Sequence, residues 1–324
     1  MSMTFEERLE KIPVINRIIA FLKAFKLKLF EDLSLYDLIR MYVVGIFQGA
    51  LSTRASAIAF SVFMAVFPLL IFFVTLIPFI IPYVSIGTSN FDAQFLNFLE
   101  SFLPSATSGY FGDIYQQIKD QKQGGLLSSA FVISIFLVAN GVNSIFGGFE
   151  NSYHVELRRN FLKQYAYAMM VGLILSILII IGAVVFVYFE VFLENTNQYF
   201  NEVVGLEGRK GDSFVIGLIK FLFFAFLTYL ITAVLYYFGT AEGRKARFFS
   251  IGALMTTLLF LLTSYLFGIY VDEFARYNEL YGALGGLLIF MVFIWLNSNI
   301  LLLGFELNAT INYLKRKHSW NEKE

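Results

Sequence analysis

Cysteine is absent from this chain of 324 residues. That absence excludes disulfides, thiolate metal sites and a cysteine nucleophile. Histidine occurs only twice, so a histidine-rich metal cluster is excluded as well. Charge is scarce. Asp, Glu, Lys and Arg make up 15% of the residues, whereas a soluble domain carries about 25% to keep its surface solvated. The charge that is present cancels, 24 basic against 24 acidic residues, and leaves no net field to draw in nucleic acid. No Gly-x-x-x-x-Gly-Lys-Ser/Thr phosphate loop exists, so the chain does not drive itself with ATP. A Gly-x-Ser-x-Gly elbow, a paired-histidine metal motif and a carboxylate cluster are missing too, which leaves enzymatic function little to rest on and no cofactor to expect. What is present is apolar: 58% hydrophobic residues, 39 of them Phe, with a mean hydropathy of +0.69. That surplus apolar surface needs a solvent other than water, and the bilayer is that solvent. Composition therefore indicates an all-α, polytopic membrane protein.

A hydrocarbon core about 30 Å thick needs roughly 20 apolar residues of helix. Six such runs stand between charges, at about 55–83, 126–149, 165–193, 214–238, 248–270 and 283–313, followed by a basic tail over 314–324. The opening residues lack the basic-then-apolar pattern of a signal peptide. Pro68, Pro78 and Pro82 predict a kink or break in the outer half of the first span. Eighteen Lys and Arg residues fall on the side of the termini, five on the opposite side, and Lys220 within a span. The positive-inside rule then places both termini in the cytoplasm.

The first 54 residues read as an amphipathic cytoplasmic region. Ile12, Ile15, Ile18, Ile19, Leu22, Phe25 and Leu29 recur at helical spacing among Arg17, Lys23, Lys26 and Lys28, the pattern of a helix lying in the interface on anionic lipid. Ser34 and Asp37 form a capping pair that opens a further helix at Leu35. Between the first two spans, the half-apolar segment Val84 to Gly125 suggests a helix on the outer interface, since a structureless loop of that length is unusual.

Polar groups at bilayer depth need a partner or a purpose. Lys220 lies six residues into the fourth span, and Glu190, near the outer end of the third, is its nearest counter-ion. The pair reads either as a packing salt bridge or as a binding charge in an outward cavity. Asn140, Asn143, Ser144, Gly147 and Asn151 fall on one narrow arc of the second span, and His154 continues it. Because lipid offers no hydrogen bonds, this arc is expected to face the bundle interior, as interhelical glue or as a hydrated path. The sixth span is polar on two faces, Asn297, Gly304 and Asn308 on one, Trp295, Asn299, Glu306 and Tyr313 on the other. Glu306, nine residues before Lys315, is expected to pair with Arg54 or with the Arg158–Arg159 pair. Small-residue spacings such as Ala55/Ala59, Gly172/Ser176 and Gly282/Gly286 indicate close helix packing.

Several stretches carry a family resemblance. The run from Leu51-Ser52-Thr53-Arg54-Ala55-Ser56 through Phe67-Pro68-Leu69-Leu70 resembles the first span of the YihY/BrkB family of bacterial membrane proteins. Tyr277-Asn278-Glu279-Leu280-Tyr281-Gly282-Ala283-Leu284-Gly285-Gly286 is similar to that family's hallmark before its last span. Trp295-Leu296 and Leu303-Gly304-Phe305-Glu306-Leu307-Asn308-Ala309 resemble its close. The likeness covers about Leu51 to Asn312 and departs at Gly239-Thr240-Ala241, where the family usually has Pro-Asn. The resemblance implies six helices with both termini inside. Some members carry a ribonuclease label; nothing in this sequence could hold a catalytic metal or place an acid and a base on a phosphodiester. The function expected from the residues is non-ATP-driven transport of a lipid or amphiphilic envelope molecule. The alternatives are a solute or ion transporter, or a scaffold for envelope assembly. The expected partners are membrane lipids, with self-association open and nucleic acid excluded. A lipid carrier should show a lateral, half-polar groove, a solute carrier an enclosed midplane cavity, and a scaffold neither.

Overall fold

The computed structural model describes residues 35–48, 50–84, 124–204, 210–243, 247–273 and 283–321. Within them lie seven helices: α1 (Leu35–Gln48), α2 (Leu51–Val84), α3 (Gly124–Glu150), α4 (Phe161–Val204), α5 (Lys210–Gly239), α6 (Ile251–Glu273) and α7 (Ala283–Asn321). The last six are long and apolar enough to cross a membrane. Long apolar runs become helices there because a backbone in lipid must satisfy its own N–H and C=O groups. The expected outer interfacial helix and the first amphipathic stretch, Ile12 to Leu29, lie outside the described residues, as does Gly282.

Boundaries shift outward from the sequence reading. Helix α2 starts at Leu51 rather than 55, α4 continues to Val204 and α7 to Asn321. The 44 residues of α4 span roughly 66 Å at 1.5 Å per residue. Its last turns, with Glu194, Asn195 and Asn197, therefore pass beyond the hydrocarbon. Helix α2 runs unbroken through Pro68, Pro78 and Pro82, so the expected break is absent. One lost donor per proline is tolerated where neighbouring helices hold the segment, and Ser134 Oγ on α3 donates to the Pro68 carbonyl at 2.6 Å.

Each spanning helix packs beside the next, α2 on α3, α3 on α4, and so on to α7, which returns to α2 and closes a ring. Helix α1 rests on α7 and α2. The core lies at the end bearing Arg54 and Arg316, the end that the charge distribution assigns to the cytoplasm. All six spans contribute, with Ile58, Phe146, Val171, Tyr236, Ala253 and Leu302 among the buried side chains. At its centre the Phe149 and Phe305 rings stack at 4.1 Å and Tyr236 meets Phe149 edge-on at 5.5 Å, so aromatic bulk fills the middle of this end. Helices α6 and α7 cross at Gly252 and Gly304. A Cβ on Gly304 would collide with Thr256 Oγ1 and stand 2.6 Å from the Tyr236 hydroxyl. That close approach lets Tyr236 donate to the Leu301 carbonyl at 2.7 Å while lying 2.6 Å from Thr256 Oγ1, a polar knot buried between three spans.

Candidate functional site

The basic end of the bundle holds a buried charged cluster. Glu306, on α7, is fully enclosed. Arg54 enters from the first turn of α2 and donates through Nη2 to Glu306 Oε1 at 2.5 Å. Its Nη1 donates to the Gly148 carbonyl at 2.7 Å. That carbonyl belongs to the last turn of α3, where helices leave acceptors without intrahelical donors, so one guanidinium both neutralises α7 and caps α3. The second Glu306 oxygen accepts from Ser152 Oγ at 2.7 Å. Three spans are thereby tied at one point.

His154 lies beside them, 3% exposed, with Nδ1 4.0 Å from Glu306 Oε2. Both of its ring nitrogens and Arg54 Nε are buried without a hydrogen-bond partner among the described residues. Helix α1 lies over the cluster. A Cβ on its Gly45 would stand 2.9 Å from His154 Cε1 and 3.2 Å from Glu306 Oε2, so only glycine lets the helix settle there. Tyr42, one turn earlier, donates to the Leu303 carbonyl at 3.1 Å. Burial, and then the Glu306 charge, push the Tyr42 phenol up to about 12, so it stays a neutral donor.

Around this lies a second set of ties. Arg159 donates to the Phe238 and Thr240 carbonyls, each at 2.6 Å, and caps the end of α5 with its guanidinium 4.4 Å above the Tyr167 ring. Glu242 accepts from the Glu156 and Leu157 amides at 3.1 and 3.0 Å and from Arg316 Nη1 at 2.5 Å. Arg316 Nη2 also donates to the His154 carbonyl at 3.3 Å, which links the two sets. Next to Glu242, a cavity of about 220 Å³ opens between the ends of α5, α6 and α7, with Thr240, Arg247, Ser250, Asn308, Asn312 and Lys315 on its wall.

Of the three cations considered for Glu306, the structure selects Arg54; Arg158 is exposed and Arg159 serves α5. Asn308 joins α6: its Nδ2 donates to Ser250 Oγ at 2.7 Å and its Oδ1 accepts from Gly252 N at 2.9 Å, fixing the start of that helix. Asn151, Asn297 and Asn299 each donate to a carbonyl one turn back on their own helix. Asn143 is half-buried.

The inward expectation fails for Asn140, which is exposed on the outer surface of the bundle in line with Val132, Ile133 and Phe136. Helix α3 buries its opposite, aromatic face instead, through Ala139, Val142, Phe146 and Phe149, because those side chains remove more surface and fill more volume. Lys220 Nζ sits 5.7 Å from the Phe186 ring centre, one turn before Glu190, whose side chain is outside the described residues. Sequence reasoning missed Ser152, the Glu242–Arg316 pair and Ser250, polar residues near helix ends that read as solvated loop. Among the described residues no three His, Asp or Glu side chains converge where a metal ion could sit.

A lateral face completes the picture. The first turns of α2 expose Ser52, Thr53, Ser56 and Ala57 toward the surroundings of the bundle. Trp295 Nε1 on α7 donates to Ser56 Oγ at 3.2 Å on one side, and Ser144 Oγ on α3 donates to the Ala57 carbonyl at 3.2 Å on the other. Asn140 lies one turn beyond Ser144, ten residues before Glu150, or roughly 15 Å up the helix.

A model of the family described as Virulence factor BrkB matches residues 46–324. The chain is 25% identical over 266 residues to the "Putative ribonuclease-like protein YfkH" of Bacillus subtilis (strain 168), covering 82% of this chain and 91% of that one. It is 24% identical over 256 residues to a "UPF0761 membrane protein" of Coxiella burnetii (strain Dugway 5J108-111), covering 78% and 84%. With "UPF0761 membrane protein MS0032" of Mannheimia succiniciproducens the identity is 29% over 119 residues, 37% of this chain and 41% of that one. No solved structure matches. With six apolar helices of spanning length and a match running from the last turn of α1 to residue 324, the chain belongs to the BrkB family of bacterial membrane proteins.

Proposed function

We propose that this protein is a non-ATP-driven carrier of a lipid or other amphiphilic envelope molecule in the bacterial cytoplasmic membrane. The observation that carries the reading is the lateral face of α2, α3 and α7, where Ser52, Thr53 and Asn140 are exposed on helices that cross the bilayer, beside the Trp295–Ser56 hydrogen bond. Polar groups facing acyl chains have no partners and are costly. A head group moving along the face would supply those partners, while its tails stay in the lipid. A route through the middle is less well supported, because Phe149, Tyr236 and Phe305 fill the centre of the basic end. Hydrolytic chemistry is also poorly supported: Glu306 and His154 are buried away from any substrate, and the ribonuclease-like name belongs to the Bacillus protein.

The test is a reconstitution. Vesicles carrying the protein and a head-group-labelled phospholipid should lose inner-leaflet label to an added membrane-impermeant quencher, and protein-free vesicles should not. Ser56→Leu and Asn140→Leu should slow the loss while leaving folded yield almost unchanged. Equal quenching with and without protein, across anionic and neutral lipids, ends the proposal. A single cysteine at position 140 of this cysteine-free chain gives an independent check. Efficient disulfide dimers there would assign the face to a second copy and not to lipid.

A further inference from the structure

We infer that the cavity between the ends of α5, α6 and α7 is a binding site for a phosphate-bearing anion. The argument is a count of donors and acceptors on its wall. Apart from the Asn312 amide oxygen, most side-chain acceptors on the wall are taken. Both Glu242 oxygens are occupied by Arg316 and two backbone amides. Thr240 Oγ1 accepts from Gly243 N at 3.0 Å, Ser250 Oγ accepts from Asn308 Nδ2 and Ala253 N, and Asn308 Oδ1 accepts from Gly252 N.

The donors are what remains. A hydroxyl carries one O–H besides its lone pairs, and an amide NH₂ carries two N–H bonds. The Thr240 and Ser250 hydroxyls and the second Asn308 N–H are therefore available. Neither Asn312 nor Arg247 has a side-chain partner among the described residues, and both line the same space. Among the described residues the one carboxylate on the wall, Glu242, is already neutralised by Arg316. A wall rich in free donors, with positive charge and few free acceptors, is complementary to an acceptor-only anion. Phosphate presents several oxygens to such a fork, and arginine is the side chain best shaped for it. The volume of about 220 Å³ leaves room beyond the phosphate itself for a glycerol or sugar.

The source of the phosphate is narrowed by position. Phe249 lines the cavity and is 58% exposed; Ile251 beside it is 47% exposed. Apolar side chains at the mouth of a basic cavity, at the start of a membrane-crossing helix, suit the head group of a lipid in the adjoining leaflet. This deepens the proposed carrier function by naming a head-group class, and it rests on that reading only in treating the bound molecule as cargo.

The full-length protein in detergent is titrated with dihexanoyl phosphatidic acid, inorganic phosphate and phosphate-free dihexanoylglycerol, following thermal unfolding by intrinsic tryptophan fluorescence. A saturable rise in Tm with phosphatidic acid and none with dihexanoylglycerol is expected. Arg247→Gln should weaken apparent affinity about tenfold, the size of one charge-assisted hydrogen bond, and Asn312→Ala should weaken it less. An equal rise with inorganic phosphate would keep the site and make soluble phosphate its ligand. The inference is overturned if neither phosphate compound gives a saturable shift, or if Arg247→Gln and Asn312→Ala both bind as the parent does. Binding is read without transport, so its loss beside intact lipid transfer refutes the site alone, and binding without transfer refutes the carrier alone.

Discussion

Glu306→Ala is the sharpest perturbation of the basic end. It removes both the countercharge of Arg54, which is 8% exposed, and the acceptor of Ser152 Oγ. An uncompensated buried charge costs about 3–5 kcal/mol, and Arg54→Met, which strands the carboxylate, should cost the same range. Glu306→Gln keeps the shape and one acceptor oxygen and should be milder, about 1–3 kcal/mol. The informative variant is the double, Arg54→Met with Glu306→Leu. Removing both charges also removes the desolvation that opposes their attraction, so its cost should fall well below the sum of the single losses. Thermal unfolding in detergent, followed by tryptophan fluorescence, reads all four, with size-exclusion recovery as a check on folding. Single variants with unchanged Tm, or a double equal to the sum, would refute the account of a dry, coupled pair. His154 supplies a contrast within the same cluster. Its buried ring nitrogens have no hydrogen-bond partner among the described residues, and Nδ1 stands 4.0 Å from Glu306 Oε2, so His154→Phe should be neutral or stabilising by about 1 kcal/mol. A loss of several kcal/mol would mean that the imidazole takes part in a hydrogen bond the cluster needs.

Gly304→Ala should destabilise by about 1–3 kcal/mol or more, because the new Cβ would overlap Thr256 Oγ1 and stand 2.7 Å from the Gly252 carbonyl; an unchanged Tm would contradict the α6–α7 crossing. Reporter fusions after Lys163, Arg247 and Lys317 should report cytoplasm, and fusions near Lys122 and Arg209 the opposite side; reversal at any one site would remove that span assignment. Protein freed of contaminating nuclease should leave RNA intact under any divalent metal, and cleavage abolished by a point change in this chain would sink the non-enzymatic reading.

Much of the architecture was legible before any coordinate. Six apolar runs of bilayer length give six spanning helices, because lipid leaves the backbone no other partners than its own. Helix α1 covers Leu35–Gln48, the stretch that the Ser34–Asp37 pair predicts as a helix. A carboxylate at Glu306, inside a membrane span, called for a cation within reach, and three arginines were candidates. Which of them answers could not be read, since Arg54 and Glu306 stand 252 positions apart and meet only because α7 closes the ring against α2.

The orientation of Asn140 shows where sequence reading stops. In water, a helix buries its apolar stripe, and periodicity names the buried face. In a bilayer both the packed side and the lipid side are apolar, so the hydrophobic period loses its power to say which is which. Hydrogen-bonding need predicts an inward polar arc on α3; the structure buries its His154 end and leaves Asn140 outside, because Phe146 and Phe149 fill the centre. Likewise Glu242, Arg316, Thr240 and Ser250 read as ordinary residues near helix ends. Only the tertiary structure brings three helix ends together around one cavity and so decides which of their donors are left over. Composition and length determined the solvent, the helices and their number; helix rotation and ring order, set by side-chain volume at long sequence separation, decided every partner.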